Sequence, residues 1–438
     1  MKIKTFENTS PTAFDSSSNV SSVENALGWP HGTLAVLEQA FLQKLDRHTL
    51  WDLSNVSNTA PFEKAASVFL RGVRILGKDE TARKVSPTPL VTSKAMSEIF
   101  DQEYFVVSDA RVLDAWPFLK QHTDLALEVS ELTKNLETVS RVLKGVKTRH
   151  PWLIIGGGIT CDLTAFAASQ VGVSFSLVPT TLLSMVDACI GGKTGVNVMP
   201  YGKNLVGSFA FPDQVYLLTD WLKTLPERDL RSGCGECFKH ALLLGDLNLL
   251  ETLAVNFAKK DFAKLGKHLP ALIRLKEDIV ARDPFEKGER VILNLGHTLA
   301  HALEAVSMTQ QDQARDTIAH GEAVSIGLLF SLLASVAIGL WERKGFDRVH
   351  SYFQSAGCLL SKAQLQVFMN SPLGSDELFS KLLHHMSFDK KKQGHEDHAH
   401  FVLLKAPGQV HLHQGKFLTP LSPPLLRKVW GDLLNIMT

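Results

Sequence analysis

Cysteine is scarce in this chain: five residues among 438, at positions 161, 189, 234, 237 and 358. So small and odd a set builds no disulfide framework, and a reducing, cytoplasmic location is the expectation. Net charge is nearly absent at +1, which leaves no electrostatic footprint for nucleic acid or another polyanion. Residues Met1 to Asn8 lack the apolar core of a secretory leader, so no signal peptide is expected. Long apolar runs are missing apart from Ala323 to Trp341, and ~20 residues is enough to cross a bilayer. Ser325, Gly327, Ser331, Ser335 and Gly339 interrupt that run, so a central helix buried on all sides is expected rather than a membrane span. Internal repeats are absent. With 45% hydrophobic and 21% charged residues, the chain reads as an ordinary globular protein of two or three domains.

Its organisation changes twice. Residues 1–88 form an N-terminal extension, polar at first (Ser16-Ser17-Ser18-Asn19) and helical in pattern from Leu34 to Leu45, with no legible chemistry. Between 89 and 222, strands are expected at Tyr104–Asp109, Leu125–Val129, Trp152–Ile155 and Ser174–Val178. Helices are expected at Leu136–Val146 and Cys161–Ser169. Alternation of this kind predicts a parallel sheet with crossover helices, an α/β Rossmann-like domain. From 223 to 438 the periodicity is helical, over 229–257, 261–282, 291–307 and 318–344, and predicts an all-α domain. A small hairpin is expected near its end, at Phe401–Leu404 and Val410–His413.

The chemistry starts from one carboxylate and two imidazoles. Glu236 stands in Cys234-Gly235-Glu236-Cys237-Phe238-Lys239, His297 in Asn294-Leu295-Gly296-His297, and His320 in His320-Gly321-Glu322. One Glu and two His give a divalent metal three ligands and leave a position open, as catalytic zinc sites require. No second pair completes a four-ligand site with Cys234 and Cys237, so these are expected to be helix packing. The turn Gly156-Gly157-Gly158 follows an apolar strand and precedes a helix, which suits a pyrophosphate at the helix N-terminus. Its spacing to Asp162 is GGGxxxD rather than GxGxxG. With the hydroxyls of Thr180 and Thr181 after the next strand, it favours a nucleotide over a bare turn. Lys193 and Lys203, both glycine-flanked, suit a loop wrapped around an anion. Lys239 and Arg290 lie close in sequence to the proposed metal ligands. A substrate carrying a phosphate and a carboxylate would account for such local cations in a neutral protein. The run Asp389 to Lys392, by contrast, reads as a solvated surface.

Taken in order, these pieces resemble the 3-dehydroquinate synthase family, within the sugar phosphate cyclases, from about Tyr104 to Leu404. The matching motifs are GGGxxxD (156–162), VPTTLL (178–183), VDxxxGGKTxVN (186–197) and GKNxxGxF (202–209). TLPxRxLxxGxxExxK (224–239), LNxGHTxxHAxE (293–304), HGEAVxIG (320–327) and DKK (389–391) follow. The resemblance implies a nucleotide domain, an α-helical domain and a cleft between them. It implies zinc, cobalt or another divalent ion on Glu236, His297 and His320. NAD contacts would fall on Asp109, Glu131, Lys134, Gly157, Gly158, Asp162, Thr180, Thr181, Thr224 and Leu225. Substrate residues would be Asp187, Lys193, Lys203, Asn204, Lys239, Lys276, Arg290, Asn294, His301 and Lys390. Of these, Lys193, Lys390, Asn204 and His301 would hold phosphate, and Lys276 and Arg290 carboxylate. Asp187 and Lys239 would orient hydroxyls.

The implied reaction converts 3-deoxy-arabino-heptulosonate 7-phosphate to 3-dehydroquinate and phosphate, a step of the shikimate pathway. It runs by transient oxidation with NAD, phosphate elimination, re-reduction and intramolecular aldol closure, in a homodimer. Four departures stand out. The segment Ser169 to Val173 is short and lacks an arginine that in the family reaches a neighbouring subunit. Asp283-Pro284 replaces Asp-Glu, Arg111 replaces an asparagine, and the gap from His297 to His320 is long. Three other readings remain open: a cyclase for a heptulose or hexose phosphate, a metal-dependent alcohol dehydrogenase, and a degenerate relative that only binds.

Overall fold

The computed structural model describes residues 49–51, 68–70, 73–75, 90–91, 96–146, 150–198, 202–309, 317–387 and 398–437. The expected helix from Leu34 to Leu45 and the Asp389–Lys392 run lie outside them. In chain order the first strands are β1 (Thr49–Trp51), β2 (Val68–Leu70), β3 (Val73–Ile75) and β4 (Leu90–Val91), then the short helix α1 (Met96–Ile99). The α/β domain continues with β5 (Phe105–Asp109), α2 (Ala110–Ala115), β6 (Leu125–Leu127), α3 (Leu136–Gly145), β7 (Trp152–Gly156), α4 (Gly158–Val171) and β8 (Phe175–Pro179). It ends with β9 (Lys193–Val198), β10 (Gly202–Phe209) and β11 (Val215–Tyr216).

The expected parallel sheet is present, in the order β4-β11-β8-β7-β5-β6. Its central strands β5, β7 and β8 are buried along their whole length, which is why they read as continuous apolar runs rather than alternating ones. Strand order reverses between β5 and β7: the chain leaves β5 for β6 on one side and β7 for β8 on the other. The carboxyl ends of those two strands therefore form the crevice in which open α/β sheets bind ligands.

A second sheet, β1-β3-β2-β10-β9, corrects one expectation. Lys193 and Lys203 sit on the antiparallel pair β9 and β10, not on a wrapping loop. The extension is strand where it is described, and β2 pairs with β10.

The helical domain follows: α5 (Glu227–Leu244), α6 (Leu247–Ala258), α7 (Phe262–Arg282), α8 (His297–Thr309), α9 (His320–Ala337), α10 (Arg343–Ser355), α11 (Lys362–Met369), α12 (Asp376–Ser387) and α13 (Pro423–Ile436). The expected single helix over 229–257 is two, because Gly245 takes a left-handed conformation (φ 80°) and closes α5. Among the described residues α9 alone is long and apolar enough to cross a membrane. It is packed inside the fold from Gly321 to Ser335, as expected of a central helix.

The terminal hairpin is shifted. β13 (Leu404–Ala406) pairs with β14 (Gln409–Val410), whereas β12 (Ala399–Phe401) pairs with β15 (Thr419–Leu421). A buried disulfide joins Cys234 on α5 to Cys358, with Cα atoms 6.1 Å apart, a pairing the cysteine count did not suggest. Cys237, Cys161 and Cys189 are free and buried. Cysteine count alone thus does not decide the redox compartment.

Candidate active site

One cleft of about 1350 Å³ runs from the β5–β7 crevice to the N-terminal ends of α8 and α9. Every described residue singled out for cofactor or substrate lines it; Lys390 lies outside the described residues. Glu236 is not on the wall itself, being fully buried on α5 directly behind it.

The metal-type triad is assembled from three helices. Glu236 Oε1 lies 3.4 Å from His297 Nε2 and 3.5 Å from His320 Nε2. Neither Glu236 oxygen accepts a hydrogen bond in good alignment, although Lys239 Nζ, one helical turn on, is 2.5 Å away. Burial would raise the Glu236 carboxyl, but Lys239 and the two histidines outweigh it and hold it ionised. An unsaturated buried carboxylate facing two imidazole nitrogens fits a divalent cation.

Each histidine is oriented from behind. His297 Nδ1 lies 3.1 Å from the Leu295 carbonyl and His320 Nδ1 3.3 Å from Glu304 Oε2. A carbonyl or carboxylate oxygen only accepts, so Nδ1 carries the proton and Nε2 is turned towards the ligand position. Burial, followed by Lys239, presses His297 down to about 3. At His320 burial opposes the charge, yet Glu304 and Glu236 prevail and lift it to about 10 in the metal-free protein, so a divalent cation binds there by displacing the Nε2 proton.

A second group, Asp187, Glu236 and His240, also has ligand atoms close together. There, however, ammonium groups already sit on Asp187: Lys276 Nζ is 2.6 Å away and Lys239 Nζ 3.8 Å. Burial alone would raise the Asp187 carboxyl, but these two lysines hold it well below its usual range. His240 is pushed down to about 3 by burial and Lys239, so it is a neutral neighbour.

Cations converge on the cleft from both domains. Lys276 comes from α7 and Arg290 from the short 3-10 turn Glu289–Asn294. Arg290 donates from Nη1 to the Pro284 carbonyl (2.6 Å) and from Nη2 to Gly191 (3.0 Å). Gly191 has φ 97°, and a Cβ there would meet the Arg290 guanidinium at 2.9 Å, so only glycine lets the backbone come this close. From the β9–β10 pair, Lys203 lies 3.5 Å from Glu304 and 3.9 Å from Glu131, and Lys193 is ion-paired to Glu286. Asn204 accepts from Lys134 Nζ (2.5 Å), which also reaches Asp162 at 2.6 Å. His301, on α8, is exposed to the cleft, with its ring 5.4 Å from that of His297.

At the nucleotide end, Gly157 caps α4 without a side-chain hydrogen bond, which leaves the first amides of that helix open to a ligand. A Cβ at Gly157 would come within 3.0 Å of Thr181. Thr180, Thr181 and Leu225 line the same space. Thr224 accepts from Trp116 Nε1 at 2.8 Å. Backbone amides, small residues and hydroxyls together fit a dinucleotide.

Two residues of the site were missed from sequence. Glu286 receives hydrogen bonds from Asn294 (2.9 Å) and from Lys193. Burial would raise its carboxyl, but Lys193 brings it to about 2. No periodicity marks it: it sits in a loop with φ 55°, two residues past the Asp283-Pro284 mismatch. Glu304 could have been found, since it lies seven residues after His297 and three after His301, on one helix face.

Residues 124–232 match the family described as 3-dehydroquinate synthase N-terminal, and residues 233–392 the one described as 3-dehydroquinate synthase C-terminal. The 3-dehydroquinate synthase of Microcystis aeruginosa is 37% identical over 315 residues, covering 69% of this chain and 79% of that protein. Among solved structures, a 2-epi-5-epi-valiolone synthase from Streptomyces hygroscopicus with NAD+ and Zn2+ bound superposes with a TM-score of 0.63 at 22% identity, over 81% of this chain and 99% of that one. A 2-deoxy-scyllo-inosose synthase complexed with carbaglucose-6-phosphate, NAD+ and Co2+ gives 0.62 at 23% identity, over 79% and 96%. At such identities these two speak for the fold. The family matches span most of the cleft-forming chain, and with the relative's identity and coverage they show that the chain belongs to the 3-dehydroquinate synthase family.

Proposed function

We propose that this chain converts 3-deoxy-arabino-heptulosonate 7-phosphate to 3-dehydroquinate and phosphate, with NAD and a divalent ion such as zinc or cobalt. The observation that carries the reading is the meeting, in one cleft, of the Glu236–His297–His320 triad with two separate cationic groups. When bound, NAD supplies reversible hydride uptake and the metal supplies Lewis acidity at the ring oxygens.

The chain's own residues do the rest. Lys276 and Arg290 form the carboxylate subsite; Arg290 is buried and fixed by two carbonyls, which pre-orients its fork. Lys193, Asn204 and His301 form the phosphate subsite, with Lys203 beside it; Lys390 is assigned to the same phosphate by the family resemblance alone. Asp187 and Lys239 orient the hydroxyls next to the triad, and Asn294 holds Glu286. Lys193 is shared between Glu286 and phosphate. As phosphate draws Lys193 away, the half-buried Glu286 loses its main stabilising charge and becomes a stronger proton acceptor. Nearby Glu131, Lys134, Asp162, Asp109, Gly157, Gly158, Thr180, Thr181, Thr224 and Leu225 form the dinucleotide side. A cytoplasmic homodimer completes the proposal.

The test is phosphate release from this substrate by wild type and His297→Ala. Release that depends on NAD, metal and His297 supports the reading. No release from folded protein that binds zinc and NAD would overturn it and point to other sugar phosphates.

A further inference from the structure

The crevice at the β5–β7 reversal contains an acid whose bonding capacity is already used. Asp109 ends β5, and Gly156 ends the neighbouring β7. In Rossmann dinucleotide folds the acid that bonds the ribose 2′-hydroxyl follows the glycine turn by about 20 residues, and an arginine near it accommodates a 2′-phosphate. Asp109 precedes the turn in sequence but ends the strand beside it. Here Asp109 Oδ1 accepts from the Arg111 backbone amide (3.0 Å) and from Arg111 Nε (3.1 Å). Its Oδ2 accepts from Arg111 Nη2 (2.9 Å) and Thr160 Oγ1 (2.7 Å). All of these donors come from the protein. Asp109 is buried, whereas the Arg111 side chain is 67% exposed and lines the cleft. Two of its five N–H groups serve Asp109, and the remaining three are directed elsewhere on the guanidinium fork.

We propose that Arg111 lets the dinucleotide site of this chain accept NADP+ as well as NAD+, by cancelling the charge of Asp109 and offering its guanidinium to the ribose 2′-phosphate. This rests on the reading that the cleft binds a nicotinamide dinucleotide. Arginine suits the role because its planar fork pairs with a phosphate through two hydrogen bonds at once. Asp229 and Glu128 add opposing negative charge around Arg111, so the outcome is near parity between the two dinucleotides and not a reversal.

Binding of NAD+ and NADP+ to the zinc-loaded full chain, measured by calorimetry, tests this without turnover. Wild type is expected to bind the two within about tenfold of each other. Arg111→Asn is expected to lose about tenfold or more for NADP+ while holding NAD+ within about threefold, the scale of one charge-assisted contact. Arg111→Lys should fall between. If wild type binds NAD+ but takes NADP+ about a hundredfold more weakly, and Arg111→Asn leaves that ratio unchanged, the proposal is wrong while the dinucleotide reading stands. If the folded protein binds neither, both fall.

Discussion

Replacing Glu304 tests whether the triad is held from behind as its geometry indicates. Glu304 is buried on α8, with Oε2 3.3 Å from His320 Nδ1 and Oε1 3.5 Å from Lys203 Nζ. Burial would raise its carboxyl, but His320 and Lys203 hold it below the usual range, so it meets both partners as a carboxylate. Glu304→Gln keeps the shape but leaves one accepting oxygen for two donors. Loss of one charged hydrogen bond is worth roughly 1.5–3 kcal/mol, and losing an outer partner of a metal-binding histidine costs about 10–100-fold in metal affinity. Glu304→Gln is therefore expected to bind zinc about tenfold more weakly than wild type. In Glu304→Ala, where the His320 ring has no acceptor, the loss approaches about a hundredfold. Competition with a chromogenic zinc chelator reads this directly, with NAD+ binding as the check that the nucleotide domain is intact. Zinc affinity within about twofold of wild type in a folded Glu304→Ala would refute the orienting role. Lost turnover with unchanged zinc affinity would assign Glu304 to Lys203 instead.

Two further perturbations address the scaffold. The Glu277 carboxyl is raised to about 7 by burial and by Asp278, with Oε1 unpartnered, against an ordinary value of 4.5. The unfolded chain ionises it more readily, so the folded state loses stability as pH climbs from about 4.5 to about 7. Glu277→Gln should thus stabilise the protein at pH 8 by about 1 kcal/mol, allowing for solvent screening, and by nothing at pH 4; equal melting temperatures at both would contradict this. Gly191→Ala places a Cβ against Arg290 in a backbone region that disfavours it. We expect a loss of about 1–3 kcal/mol in stability together with a raised KM. A normal KM in the destabilised protein would separate Gly191 from the carboxylate subsite.

What could be read from sequence follows from where the information is local. The strands Phe105–Asp109, Trp152–Gly156 and Phe175–Pro179 are buried on both faces and announce themselves as short apolar runs. The β9–β10 pair did not, because its glycines at 195 and 207 and its lysines look like loop composition, and its pairing is only visible once the strands meet. Glu236, His297 and His320 were legible as a donor set, but their closeness depends on α5, α8 and α9 packing together. The Cys234–Cys358 pair is 124 residues apart and carries no local mark. Arg111 was visible as a substitution, yet its effect depends on Asp109 having both oxygens engaged, which only the structure displays.

The cations along the cleft have a collective consequence. Lys193 faces Glu286, Lys203 faces Glu304, Lys239 faces Glu236, Lys276 faces Asp187 and Lys134 faces Asp162. Positive groups so evenly matched project little field into solvent, and the chain as a whole carries only +1. An incoming substrate with a phosphate and a carboxylate is not drawn in from a distance; it enters by exchanging places with carboxylates already seated on the lysines. Salt should then alter the speed of capture only slightly, and selectivity among anions should come from how well each one reproduces the geometry of the carboxylates it displaces.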